Sequence, residues 1–374
     1  MPAMPADPQA TLTAFRDAIR HATDTRAPLR LRGGGSKDFY GQHAQGTLLD
    51  TRAYSGIVDY DPPELVITAR CGTPLAQIEA ALAERRQMLA FEPPHFSTGA
   101  NASDVATIGG AVAAGLSGPR RQAVGALRDF VLGTRVMDGR GDVLSFGGQV
   151  MKNVAGYDVS RLMSGSLGTL GLILEVSLKV LPVPFDDATL RFALDEATAL
   201  DRLNDWGGQP LPIAASAWHD GVLHLRLAGA AAALRAARER LGGEAVDAAQ
   251  ADALWRALRE QSHAFFAPVQ AGRALWRIAV PTTAAPLALP GGQLIEWGGG
   301  QRWWLGGSDS AADSAIVRAA AKAAGGHATL FRNGDKAVGV FTPLSAPVAA
   351  IHQRLKATFD PAGIFNPQRM YAGL

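Results

Sequence analysis

The sequence predicts an α+β protein of more than one domain, and three observations lead there. The chain has 374 residues, more than a single hydrophobic core usually serves. Strand-like apolar runs are interleaved with helical repeats, and hairpin and Pro-Pro turns join neighbouring strand runs. The composition also changes after Pro184: residues 91–184 are dense in Gly, Ser and Thr, whereas residues 185 to about 345 are rich in Ala, Leu and Trp. Hydrophobic residues make up 47% of the chain and charged residues 19%, which suits a large core.

In chain order, residues 8–22 predict a helix, with Leu12, Phe15 and Ile19 at helical spacing. PLRLRGGG reads as a short strand running into a glycine loop. TLLDT and GIVDYDPPELVITARCGT read as strands around a Pro-Pro turn. PLAQIEAALAERRQML predicts a helix, with Thr73 as N-cap and Pro74 at the first helical position. VLGTRVMDGRGDVLSF predicts a hairpin about Asp-Gly-Arg-Gly, and GLILEVSLKVL a strand ended by Pro182 and Pro184. Beyond Pro184, ATLRFALD, VLHLRLAG, ALWRIAVP and QRWWLGG read as strands, and AAAALRAARERLG and SAIVRAAAKAAG as helices. The end, AAIHQRLKATFDPAGIFNPQRMYAGL, reads as a helix and a Pro- and Gly-bearing tail.

Several function classes are excluded by composition. The net charge is +2 and no basic run is dense enough to track a phosphate backbone, so no nucleic acid is expected. Cys71 is the single cysteine, so this chain alone builds neither a disulfide nor a cysteine-ligated zinc or iron–sulfur centre, and no metal is expected. The first residues hold no apolar signal core and no stretch is long and clean enough to span a bilayer. The expectation is a cytoplasmic protein, or one held peripherally at the inner membrane through partners.

Two glycine-rich loops stand out, RGGGSK at 32–37 and TIGGAVAAGLSG at 107–118. Glycine in series loses much backbone freedom on folding, so a run marks a turn or a close backbone approach. The first loop alone reads equally as a loose hairpin turn or as an anion cradle of backbone N–H groups beside Arg32 and Lys37. Two such loops point to a large ligand with a pyrophosphate. Neither matches GxGxxG after a first strand, nor GxxxxGK[ST], so the usual dinucleotide fingerprint and the P-loop are absent. GSLGTLGLI, with Gly165, Gly168 and Gly171, reads as small-residue packing or as a third wall of the same site.

RGGGS, TIGG, GYD followed by GSLGTLG, and the C-terminal DPAGIFNP together resemble the flavoproteins with a vanillyl-alcohol-oxidase, or PCMH-type, FAD-binding domain. Within that family, FEPPHF, GLSGPRR, RDFVLG and GGQVMKNVAGYDVSRLMSGSLGTLG are similar to the FAD-binding subunits of glycolate oxidases. The resemblance implies a two-subdomain FAD-binding domain over 1–184, an α+β cap over 185–340 and a tail, 341–374, returning to the FAD domain. It implies that Arg32, Gly33, Gly34, Gly35 and Ser36 hold the pyrophosphate through backbone amides, with Thr107, Gly109 and Gly110 as a second loop. By the same resemblance Ser117 and Gly118 sit near the flavin, Lys152, Asn153 and Tyr157 form a polar set by its ring, Gly168 and Ile173 meet the adenosine half, and Asn366 reaches back from the tail.

Two departures from the family pattern matter. Covalent relatives often carry His in a GGHS loop; here Gly35 stands there, so FAD is expected to be non-covalent. The larger 2-hydroxy-acid dehydrogenases carry a Glu-His-Gly type cap motif, which is absent here. Oxidising a 2-hydroxy acid requires a proton acceptor and a cation for the carboxylate. His95, Lys152 and Arg277 are the candidates. Arg302 is a further cap-strand cation, and for both arginines a surface strand charge is an equal reading. Trp276, Trp297, Trp303 and Trp304 read as cap core or a partner interface.

The resemblance implies oxidation of glycolate to glyoxylate by a complex whose other chains are a larger FAD subunit and an iron–sulfur subunit. The alternatives are a stand-alone FAD enzyme acting on D-lactate or another 2-hydroxy acid, and a non-catalytic structural subunit.

Overall fold

Two β-sheets built one after the other along the chain organise the structure, a computed structural model that describes residues 7–96, 106–148 and 157–374. The first is five-stranded and antiparallel, in the order Ile57–Asp61, Val66–Arg70, Leu172–Lys179, Val131–Met137, Val143–Gly147. Its central strand, LILEVSLK, is buried along most of its length, as a strand covered on both faces must be. Leu12, Phe15 and Ile19 of helix Pro8–Thr25, Leu75, Ile78 and Leu82 of helix Leu75–Ala83, and Ile108 and Val112 of helix Ile108–Ala114 complete that core.

Beside this sheet lies a small parallel pair, Leu29–Arg32 with Thr47–Asp50. The chain end docks on its other edge. Leu29 N–H donates to Ile364 O at 2.8 Å, and Asn366 N–H returns to Leu29 O at 2.9 Å. Asp360 holds this tail in its turn: its carboxylate accepts from the N–H groups of Ile364 and Phe365 at 3.0 and 2.7 Å and pairs with Lys356 at 2.8 Å. Lys356 Nζ also donates to the carbonyls of Thr169 and Phe365.

The second sheet is eight-stranded and antiparallel, in the order Glu244–Ala245, Asp186–Ala193, Val222–Gly229, Ile213–His219, Gln293–Glu296, Gln301–Leu305, Leu275–Ala279, His327–Arg332. Its side chains divide by strand alternation. One face carries Leu190, Trp218, Leu223, Leu225, Leu227 and Ile295 under helices Glu196–Gly207 and Ala231–Leu241. Further along the same face Trp276, Ile278, Trp304 and Leu330 lie under helix Ser310–Ala323. The opposite face carries Ala215, Ala217, Leu275, Leu294 and Trp303. It packs against helix Ala248–Glu260 and against Tyr40, Phe96, Ala114 and Leu116, which come from the first unit.

Polar contacts fasten the same seam. Glu92 and Arg120 of the first unit form a four-membered ion network with Asp187 and Arg226 of the second, at 2.6–3.3 Å. The Trp297 indole N–H donates to Gly118 O at 3.0 Å.

The helix expected over residues 74–89 is shorter and starts differently. Pro74 itself is the N-cap, at ψ 137°, and the helix runs Leu75–Ala83. Thr73 does not cap it: its hydroxyl bonds to Gly56 and to Arg70 O instead. Arg86 turns left-handed at φ 51°, and Gln87–Met88 then pairs with Leu181–Pro182. Trp276, Trp303 and Trp304 are core residues, whereas Trp297 is half-buried at the seam.

Asp360→Ala leaves Lys356 a buried cation without its carboxylate and two tail amides without acceptors. The expected loss is on the order of 3–5 kcal/mol, read from urea midpoints of variant and wild type.

Candidate cofactor-binding site

The strand Leu29–Arg32 carries the first glycine loop to its place. Along its tail-facing edge Leu29 N–H bonds Ile364 O and Leu31 N–H bonds Asn366 Oδ1. Past Arg32 the tail no longer follows. Among the described residues none accepts a hydrogen bond from the N–H of Gly33, Gly34, Gly35 or Ser36, although Gly34 is buried. Four consecutive donors without acceptors, lining a groove, form the kind of concavity that binds an anion.

Arg32 supplies the floor of this loop. Its guanidinium is held by Asp38 at 2.6 Å and lies so close under Gly35, at φ +80°, that a side chain there would be strained and would push the guanidinium aside. The opposite wall is Thr107. A side chain at Gly33 would strike the Thr107 hydroxyl, so the two loops touch only because Gly33 is bare.

The second loop presents its backbone differently from the first. The N–H groups of Ile108 and Gly109 donate to the carbonyls of Thr73 and Cys71, and Thr107 Oγ1 accepts from Gly110 N–H. Those amides are therefore engaged within the protein. Gly109 matters for space: a Cβ there would run into Cys71, whose thiol burial pushes up to about 12. Gly110 and Ala113 line the groove wall.

From the loop the groove continues between Leu31, Thr51 and Cys71 to Gly168, Leu172 and Ile173, a more apolar end. Asn366 closes this side. Its Oδ1 accepts from Leu31 N–H at 2.8 Å and its Nδ2 donates to Leu167 O at 2.7 Å. A Cβ at Gly168, φ +70°, would press on that amide. Arg32 to Ser36, Thr107, Gly109, Gly110, Gly168, Ile173 and Asn366 are thus brought to one groove.

The other sequence candidates lie elsewhere. Ser117 Oγ accepts from Leu127 N–H, and Gly118 sits at the seam under Trp297. Tyr157 is 96% exposed. Lys152 and Asn153 lie outside the described residues. His95 pairs with Glu79 at 3.1 Å. Arg277 leans over Tyr40 and donates to its hydroxyl at 3.1 Å. Arg302 is not an available carboxylate ligand: it is fully buried and donates to the carbonyls of Gly299, Ala284 and Ala285.

Sequence reasoning missed two groups, Asp38 and Glu296, and left the environment of Lys37 unread. Asp38 orients Arg30 and Arg32. Lys37 lines the groove beside Ser36, and burial brings its amine down to about 8, with Glu260 opposing and Arg332 adding to the shift. Asp38 follows three residues after the last of the glycines, and that proximity was the available signal. Glu296, on the second sheet's face toward the first unit, accepts from the Trp303 indole at 2.6 Å and from Gln301 at 3.1 Å. Burial raises its carboxyl to about 7. Nothing in the sequence marks it.

Bare amides on one loop and apolar walls toward Ile173 define a site for a phosphate-bearing dinucleotide, and with them the class of the protein: a flavoprotein with an FAD-binding fold. Residues 10–147 match the family described as FAD binding domain. The chain is 49% identical over 361 residues to the glycolate oxidase subunit GlcE of Escherichia coli (strain K12), covering 96% of this chain and 97% of that one. It belongs to that family. It is also 32% identical over 170 residues to the glycolate oxidase subunit GlcD of Bacillus subtilis (strain 168), covering 45% of this chain and 35% of that subunit. Identity to the D-lactate dehydrogenase of Archaeoglobus fulgidus is 29%, covering 50% of this chain and 40% of the enzyme. A solved structure of alkyldihydroxyacetonephosphate synthase superposes with a TM-score of 0.65 at 14% identity, covering 95% of this chain and 75% of that one, and so shares the fold.

Gly33→Val drives a side chain into Thr107. It is expected to weaken FAD binding at least tenfold and to lower stability by ~1–3 kcal/mol, measured by flavin fluorescence titration and urea melts. Gly292→Ala, where a side chain meets open space, is the control and should change neither. Glu296 gives a pH test. Its raised carboxyl favours the protonated form in the fold, so the wild type loses stability as pH climbs from about 4.5 to about 7. Glu296→Gln removes that slope, and its stability relative to wild type should improve by ~1–3 kcal/mol between pH 5 and pH 8.

Proposed function

We propose that this chain is the FAD-binding subunit of a multi-subunit glycolate oxidase that converts glycolate to glyoxylate. The observation that carries the reading is the pairing of similarity to a glycolate oxidase subunit over 96% of this chain with a groove whose glycine amides have no acceptor among the described residues. Gly33 to Ser36 hold the diphosphate, Gly110 and Ala113 form the wall opposite, and Gly168, Ile173 and the Asn366 clasp bound the adenosine half. Bound there, FAD supplies two-electron chemistry, while the protein supplies placement and electrostatics. Lys152, Asn153, Tyr157, Ser117 and Gly118 belong to the ring end of this proposal. The FAD-binding part corresponds to 1–184, the cap to 185–340 and the returning tail to 341–374.

Gly35 offers no nucleophile for a flavin bond, so the cofactor is held without a covalent link. The proposed partners are a larger FAD subunit and an iron–sulfur subunit that carries electrons onward; any cysteine-ligated cluster belongs to such a partner, since Cys71 is alone in this chain and buried. Among the described residues no helix is long and apolar enough to cross a membrane. A stand-alone D-lactate dehydrogenase is less favoured, because similarity to such an enzyme covers only 50% of this chain.

Two measurements test the proposal. Acid-precipitated holoprotein should leave its flavin in the supernatant; fluorescence retained in the pellet contradicts the non-covalent reading. Glycolate should bleach the flavin absorbance of the assembled complex within one turnover time. Equal bleaching of the isolated chain by D-lactate would favour the stand-alone enzyme.

A further inference from the structure

Among the described residues three cations line the glycine groove: Arg32, Lys37 and Arg369. Two of them are committed within the protein. Arg32 Nε is held by the Asp38 carboxylate at 2.6 Å, and the same carboxylate takes Arg30. Arg369 arrives from the tail and donates to the carbonyls of Asp38 and Gln42. Both fix the segment that follows the glycines.

Lys37 is different. Its half-buried side chain makes one hydrogen bond among the described residues, from Nζ to Ser36 Oγ at 3.3 Å. Its amine also lies 5.7 Å from the Phe96 ring centroid, a cation–π contact that offers no acceptor. The charged groups around it do not neutralise it. Asp38 is taken by the two arginines. Glu260, at the end of helix Ala248–Glu260, favours the ammonium, but its carboxylate is engaged by the N–H groups of His95 and Phe96 and by Arg259 Nε, at 2.7–3.0 Å. Arg332, on strand His327–Arg332, opposes a further positive charge and itself donates to buried Gln261 at 2.6 Å. Loss of hydration is the largest influence, and the amine comes down to about 8.

A desolvated ammonium whose one hydrogen-bond partner is neutral gains from a nearby anion. Its position says where that anion sits. Nζ is 3.3 Å from the hydroxyl of Ser36, and the N–H of Ser36 is the last of the four amides without described acceptors. An anion seated on those amides lies within reach of the flexible lysine stem. The amides supply hydrogen bonds but no net charge, whereas a diphosphate bridge brings two negative charges into the groove.

We propose that Lys37 is the titrating counter-charge of the diphosphate: its ammonium closes on the anion held by the glycine amides, so that cofactor binding takes up a proton. The proposal rests on the FAD reading of the groove and adds to it a residue outside the amide cradle. The amides grip at any pH, whereas Lys37 makes affinity depend on pH. The bound diphosphate raises the amine above its free value of about 8, so affinity is full below pH 8 and is lost as pH rises past it.

The test dilutes the full-length holoprotein at constant ionic strength and follows the fluorescence of released FAD at pH 7 and pH 9. Wild type should show a Kd about tenfold higher at pH 9. Lys37→Met should raise the Kd at pH 7 by roughly tenfold or more and flatten the pH response. Lys37→Arg keeps a charge that does not titrate in this range, so it should recover most of the affinity and also stay flat. A lysine that only packs predicts neither flattening. An unchanged Kd in Lys37→Met, a flat wild-type profile, or the full pH response surviving in Lys37→Arg overturns the proposal. If Lys37→Met does not fold, the Lys37→Arg profile decides. Inorganic pyrophosphate is the second probe, followed by the thermal midpoint of the flavin-free chain at pH 7. Pyrophosphate binding that depends on Lys37, without FAD binding, removes the FAD reading alone. FAD binding indifferent to Lys37 removes this proposal alone, and absence of both removes both.

Discussion

The contact between Gly33 and Thr107 is the constraint on which the rest of this structure depends. At that point two chain segments far apart in sequence approach so closely that a Cβ has no room. The approach serves two ends at once. It sets the first loop against Thr107 along the groove, and it places Gly110 and Ala113 as the facing wall. The conformational entropy lost by three consecutive glycines is the cost of that proximity. Arg32 and Asp38 stiffen the loop from below, so the donors stand in place before any ligand arrives.

Around this contact the fold is closed by chain ends and by the second sheet. The tail is drawn in by Asp360 and Lys356, and Asn366 ties it to Leu31 and Leu167, so the last residues of the chain complete a groove begun by the first strand. The segment after the glycines is clamped by cations from further along the chain. Lys336 donates to the carbonyls of Phe39 and Gly41, and Arg369 to those of Asp38 and Gln42. At the seam, the Glu92, Arg120, Asp187 and Arg226 network is largely desolvated, which makes it a better device for registering two units than for adding stability. The aromatic packing of Phe39, Tyr40 and Phe96 on Phe331 and Trp303 supplies the apolar part of the same join.

Much of this was legible in the residues. The strands and most helices follow from apolar periodicity, and the glycine loop leaving a basic strand announced an anion cradle. Family resemblance then pointed to FAD. A TIGG pattern shows bare backbone but does not reveal that Thr73 and Cys71 accept the amides of Ile108 and Gly109. Helix 74–89 was overextended for a similar reason: Gln87–Met88 carry good helical residues, yet pairing with Leu181–Pro182 outweighs that local preference.

By itself the sequence determined what the chain locally could be: which segments form strands and helices, and where only glycine can stand. Those properties depend on sterics and burial within a few residues. Tertiary structure decided which charged groups are available. Arg302 read equally as a carboxylate ligand or a surface charge, and the fold makes it neither, burying it with bonds to three carbonyls. Glu296 and Gln261 looked ordinary until the fold withdrew them from water. Desolvation and hydrogen-bond partnership arise from segments that meet across hundreds of residues, so no local pattern can encode them.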